Sequence, residues 1–196
     1  METPRAGAPV PAALADAVVL DERGGERRLG DFWADRPALV VFLRHFGCIG
    51  CSAQVTELEP RLAQLDELGM RTVLVGNGAP NFIAGFVERH ALADKRAVLV
   101  TDPSLAAFRA AGLARSWWAT AGPRALADIA RALAAGHSGH QQEGDATQQG
   151  GALVVAPSGE VAFYYRNRSL GDHAAAADLV DVALGLAARR GATWRI

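Results

Sequence analysis

The chain has 196 residues, half of them hydrophobic and 21% charged, with a formal net charge of −1. This suits one globular domain with a real core; it offers no global basic field for nucleic acid or anionic lipid, and no acidic excess suggesting disorder. No run of about 18 apolar residues marks a membrane span and no basic start with a long apolar run marks a secretion signal, so the expected compartment is the cytoplasm.

Residues 1–14 are rich in Pro and Ala and are expected to be loosely ordered, leaving 15–196 as a single domain. Val18–Leu20 and Arg27–Leu29 flank a Gly24-Gly25 turn and read as a short strand pair. Gly30–Trp33 reads as a turn into a short helix or loop. Ala38–Leu43 is an apolar run too short for a typical helix, and reads as a strand buried on both faces. From Ser52 onward Val55, Leu58, Leu62, Leu65 and Leu68 form one helical stripe. Pro60 should kink it, and Gly69 offers a C-cap.

Thr72–Val75 and Ala97–Thr101 are further buried strands, separated by a helix over Phe82–His90. Thr101-Asp102-Pro103-Ser104 opens a helix over Leu105–Ala111 with Asp or Ser as N-cap. Strands and helices in this alternation imply βαβ units, hence an α/β fold with a central sheet flanked by helices. Residues 113–150 break the rhythm as a helical insertion after the third core strand: Trp117-Trp118, a helix over Arg124–Ala135, then a Gly-, His- and Gln-rich stretch from His137 read as a mobile loop. A hairpin over Ala152–Ala156 and Val161–Tyr165 and a helix over Ala174–Arg189 close the chain.

Two cysteines, Cys48 and Cys51, are the only ones in the chain. A secreted disulfide scaffold uses more, at wider spacing. A strand leading into Cys-x-x-Cys and then a helix places both sulfurs at the helix start, where free N–H groups and the macrodipole favour thiolate over thiol. Arg44 lies just upstream, either as a surface ion-pairing residue or as a cation stabilising the thiolate. His45 is expected to be packed or solvated rather than an acid or base, and Trp117 and Trp118 are expected to pack against the structure. The Gly-rich loop holds no phosphate-binding pattern, and neither a cofactor nor a metal is expected.

The segment Val40–Cys51 (VVFLRHFGCIGC), together with Leu29-Gly-Asp-Phe32, Thr101-Asp-Pro-Ser104 and Gln149-Gly-Gly151, resembles the peroxiredoxin-like branch of the alkyl hydroperoxide reductase/thiol-specific antioxidant (AhpC/TSA) superfamily, a branch that includes prostamide/prostaglandin F synthase-like proteins. The resemblance spans roughly residues 15–185. It implies a thioredoxin-like fold and thiol-dependent reduction of peroxides or disulfides. It also implies an external thiol reductant of the thioredoxin or glutathione type, and no nucleic-acid or membrane partner.

The chain departs from that pattern in two places. Typical peroxiredoxins carry Pro-x-x-x-Thr-x-x-Cys; aligning Cys51 with that cysteine puts Cys48 in the Thr position and Arg44 in the Pro position. Gly150-Gly-Ala152 supplies neither the peroxide-holding Arg of peroxiredoxins nor the cis-Pro of thioredoxins, and Gln148 and Gln149 fall where that Pro meets substrate. Two role assignments follow: Cys48 attacks and Cys51 resolves, or the reverse, the first being favoured if Cys48 is the more exposed sulfur. Two other classes remain open: a redox sensor without turnover, and a zinc protein using Cys48, Cys51, His137 and His140.

Overall fold

The computed structural model describes residues 2–93, 96–140 and 143–193. Seven strands form one mixed sheet: β1 (Val18–Leu20), β2 (Glu26–Arg28), β3 (Ala38–Phe42), β4 (Arg71–Gly76), β5 (Ala97–Thr101), β6 (Gly151–Val155) and β7 (Val161–Arg166). Their order is β2-β1-β5-β4-β3-β6-β7. The three central strands β5, β4 and β3 are parallel, as the βαβ reading requires, and the flanking strands β1 and β6 join them antiparallel.

The continuous apolar runs have a direct structural cause. Leu39, Val41, Leu43 and Leu74 belong to one core, and Val40, Phe42, Val73 and Val75 to the other, so β3 and β4 are covered on both faces. The first core is built with α2 (Ile49–Leu58), α3 (Leu62–Glu67), α4 (Phe82–Arg89) and α8 (Ala176–Thr193). The second is built with α1 (Ala12–Ala15), α5 (Ala106–Ala110) and a 3-10 turn over Leu29–Trp33. Pro60 does more than kink the long helix: a 3-10 turn, Glu59–Arg61, divides it into α2 and α3. Gly69 takes φ 77° at the end of α3, a conformation that glycine adopts freely. Asp102 accepts the N–H of Ala107 at 2.7 Å and the Ser104 hydroxyl at 2.6 Å, so the Thr-Asp-Pro-Ser motif works here as a helix cap.

The N-terminal stretch is tied to the domain. The Gly7 N–H donates to the Val161 carbonyl at 2.8 Å, Pro9 pairs with Glu160, and Leu14 is fully buried. These contacts replace the loose order expected there, because the edge of β7 offers backbone partners. The insertion contains α6 (Trp118–Ala121), a turn of helix not anticipated, and α7 (Pro123–Ala134). Of the loop expected to be mobile, residues 141 and 142 lie outside the described set, while Gln148 and Gln149 are buried. Trp117 and Trp118 are 69% and 81% exposed, against the expectation that they pack. None of the described helices is long and apolar enough to cross a membrane.

Gly50, between the two cysteines, has no room for a side chain: a Cβ there would overlap the Leu170 carbonyl. Gly50→Ala would gain about 1 kcal/mol of helix propensity. Forcing a methyl against a fixed backbone oxygen costs about 1–3 kcal/mol. The variant should therefore unfold at lower denaturant concentration than wild type; an unchanged or higher midpoint would show that the Leu170 segment yields freely.

Candidate active site

β3 ends at Phe42, and the chain continues straight through Leu43, whose N–H still donates to Val75 at 2.8 Å. The strand then releases into a tight connection. The Cys48 N–H donates to the His45 carbonyl at 3.1 Å, and the Ser52 N–H donates to the Cys48 carbonyl at 3.0 Å as the first bond of α2. Cys48 is thus the N-cap residue, with extended φ −76° and ψ 126°, and Cys51 sits in the first turn. Both are free thiols.

The exposure argument does not separate the sulfurs, because each residue is 3% exposed. Electrostatics does. Cys48 is lowered from the usual thiol range to about 6, chiefly because the Cys51 thiol donates a hydrogen bond to it. The Arg44 charge and the N–H groups of Cys51 and Gly50 act in the same direction against burial. Cys51 is pushed well above the usual range, first by burial, then by its donation to Cys48 and by the charge there. The Arg44 backbone N–H points at the Cys51 sulfur, 3.1 Å away.

Arg44 is not a surface residue. It is 1% exposed. Its Nε donates to the Gln148 carbonyl at 3.2 Å, and its Nη2 donates to the Thr120 hydroxyl at 2.7 Å and the Ala146 carbonyl at 2.6 Å. Nη1 is buried without a hydrogen-bond partner among the described residues. Among the described residues none of its hydrogen-bond partners is a carboxylate. Asp145, on the same loop, is instead engaged by Arg115 at 2.5 Å and by the Thr147 hydroxyl at 2.6 Å. His45 is packed, one of the two placements expected of it. Burial first, then the Arg44 charge, lower it to about 4, which leaves it neutral at physiological pH.

Two contributors escaped sequence reasoning. Asn77, just past β4, donates to the Arg44 and Asp145 carbonyls and accepts the Asp145 N–H at 2.9 Å, clamping the strand end to the loop. Thr120, in the unanticipated helix α6, supplies the hydroxyl on Arg44. The only sequence hint for Asn77 was its place at a strand's C-terminal end; nothing marked Thr120. Gln148 and Gln149 do lie just before β6, but their side-chain amides are turned into the insertion, toward the Leu113 and Gln149 carbonyls and toward the Thr147 carbonyl. His140 reaches the cysteine loop through its backbone, its N–H donating to Gly47 at 3.0 Å. Among the described residues no three His, Cys, Asp or Glu side chains are grouped to hold a metal.

The comparisons with known proteins agree with this architecture. A family model for AhpC/TSA antioxidant enzymes matches residues 57–169, beginning just past the cysteine pair. Prostamide/prostaglandin F synthase of Bos taurus is 31% identical over 169 residues, covering 83% of this chain and 81% of that protein. Peroxiredoxin-like 2C of Homo sapiens is 28% identical over 196 residues, covering 87% and 78%. Among solved structures, peroxiredoxin Q of Xanthomonas campestris superposes with a TM-score of 0.65 at 16% identity, over 93% of this chain and 98% of that one. Peroxidoxin BcpB from Mycobacterium tuberculosis gives the same score, identity and coverage. The structural likeness establishes the thioredoxin-like fold that peroxiredoxins share. Together with the family match, it makes this chain a member of the AhpC/TSA antioxidant enzyme family.

Proposed function

We propose that the chain is a thiol peroxidase in which Cys48 attacks as the thiolate, Cys51 resolves, and Arg44 stabilises the negative charge. The observation that carries this reading is the opposite displacement of the two thiols, Cys48 down and Cys51 up, beside a buried cation. A thiolate is the nucleophile at sulfur and oxygen alike. Family membership and the peroxiredoxin-like fold favour peroxide as the oxidant. Burial of both sulfurs also favours a small peroxide over a protein disulfide.

The Cys48 thiolate attacks one peroxide oxygen, and the O–O bond breaks. The leaving alkoxide or hydroxide takes up a proton to become alcohol or water, and Cys48 becomes a sulfenic acid. Cys51 then attacks the Cys48 sulfur and expels the hydroxyl, which leaves as water with the Cys51 proton. The product is the Cys48–Cys51 disulfide, two electrons more oxidised than the starting pair. An external dithiol, or two equivalents of a monothiol, returns both cysteines to thiols and is itself oxidised to a disulfide. Cys51 is well suited to resolving, since a thiol held neutral donates to the thiolate until that sulfur becomes electrophilic.

Mass spectrometry of reduced protein after one equivalent of hydrogen peroxide tests the assignment. Wild type should form the intramolecular disulfide, Cys51→Ser should trap a sulfenic acid on Cys48, and Cys48→Ser should stay reduced. Sulfenic acid on Cys51 in the Cys48→Ser protein, with none in Cys51→Ser, would reverse the roles. Failure of wild type to oxidise would remove the peroxidase reading and leave a disulfide-exchange or sensor role.

Arg44→Met removes the charge while keeping most of the side-chain volume. With the cation gone, Cys48 should rise part of the way toward the ordinary thiol range, because the Cys51 hydrogen bond that chiefly lowers it remains. Stopped-flow peroxide reduction should slow severalfold at neutral pH for that reason, with recovery at higher pH. An unchanged rate in a folded variant would reduce Arg44 to a structural tie between β3 and the insertion.

A further inference from the structure

The insertion presents a surface that the redox chemistry does not use. Trp117 and Trp118 stand 69% and 81% exposed, and Leu126 and Leu133 on α7 are 61% and 56% exposed. Leu126 and Leu133 are seven residues apart, so they lie on one line along the helix. Ala127, Ala130 and Ala134 share that outward side, and Arg124 and Arg131, also seven apart, run along its border. The opposite side is anchored: Ala125 is fully buried, and Asp128 is held by Ser169 at 2.6 Å and Gly171 at 3.0 Å. The apolar stripe of α7 therefore extends past the protein core into water.

The charge of this element's outer face differs from its total. Residues 113–150 contain Arg115, Arg124 and Arg131 against Asp128, Glu143 and Asp145, but those three carboxylate side chains are only 6%, 12% and 24% exposed. Arg131 spans to Asp128 at 3.0 Å and Arg115 to Asp145 at 2.5 Å, yet both arginine side chains remain mostly exposed, and Asp128 is buried. A short helix of low overall hydrophobicity with an apolar stripe, flanking arginines and adjacent tryptophans fits the interface of an anionic bilayer. There the indole rings settle at headgroup level and the guanidinium groups meet phosphates.

We propose that the α6–α7 insertion docks the protein onto anionic lipid surfaces, with Trp117, Trp118, Leu126 and Leu133 as the apolar anchors and Arg124 and Arg131 as the contacts to headgroups. The sequence-based expectation of no membrane partner rested on net charge and on the lack of an apolar span; a local interfacial face escapes both criteria. Docking also touches the redox site: α6 carries Trp118 on its outer side and Thr120, which holds Arg44 at 2.7 Å, on its inner side. Docking of this kind does not depend on which cysteine attacks.

The test is co-sedimentation of the full chain with phosphatidylcholine vesicles, alone or mixed with phosphatidylglycerol, with tryptophan emission recorded in parallel. Wild type should bind the phosphatidylglycerol vesicles with a blue shift, and added salt should weaken binding by screening. The double variant Trp117→Ala/Trp118→Ala should lose at least about tenfold in partitioning, given the apolar area each ring buries. Arg124→Glu should weaken binding selectively on the anionic vesicles. Leu133→Ser, at an exposed position of α7, repeats the test independently of α6. Absence of wild-type binding, or binding indifferent to all these variants, would overturn the proposal. So would sedimentation velocity showing a dimer that the double tryptophan variant dissolves, which would give the face to a second copy of the chain.

Discussion

A guanidinium group carries its charge at any physiological pH, and withdrawing it from water without a counter-charge costs several kcal/mol. Arg44 is withdrawn in this way. Its hydrogen-bond partners among the described residues are two backbone carbonyls and a threonine hydroxyl, and one of its Nη atoms has no partner. Neutral acceptors satisfy geometry but leave the charge uncompensated. The balancing anion that the fold makes available is the Cys48 thiolate at the start of α2, which the Arg44 charge favours. One residue thus does two jobs: its N–H meets the Cys51 sulfur, and its side-chain charge favours the anion on Cys48. Division of the proton between the cysteines follows, with the capping sulfur ionised by the helix N–H groups and its neighbour held neutral by burial.

The hydrogen bonds around that charge come from the insertion. Residues 113–150 arrive late in the chain, yet Thr120, Ala146 and Gln148 from this segment supply the hydrogen bonds on Arg44. Asn77 fastens the same loop to the strand end, and His140 reaches back to Gly47. The inner side of the insertion solvates a cation, and its outer side carries exposed tryptophans. The two sides meet in a single helical turn, α6, which carries both Trp118 and Thr120.

Much of this was legible in the sequence because the signals are local. Six-residue apolar runs fix buried strands, Pro60 breaks a helix, and strand–Cys-x-x-Cys–helix announces a thiol site. What was hidden depends on contacts across long stretches of chain. Arg44 meets Thr120, 76 residues away, and Gln148, 104 residues away; no spacing rule reports such pairs. The same holds for Asn77, which looks like an ordinary residue after a strand. The exposed tryptophans were misread for a different reason. Burial of Trp is a sound average, and composition does not report where an individual ring departs from it.

The polarity of the cysteine pair is the feature on which the mechanism depends, and site-resolved alkylation measures it directly. Reduced wild-type protein is pulsed with iodoacetamide across a pH series, and modification of Cys48 and Cys51 is quantified separately by peptide mass spectrometry. Cys48 lies below the usual thiol value of 9.0, at about 6. Its alkylation should therefore climb through that lower pH and level off by neutrality, while Cys51 stays inert until far more alkaline pH. Parallel profiles rising together near pH 9, or Cys51 titrating first, would contradict the division of roles on which the proposed mechanism rests.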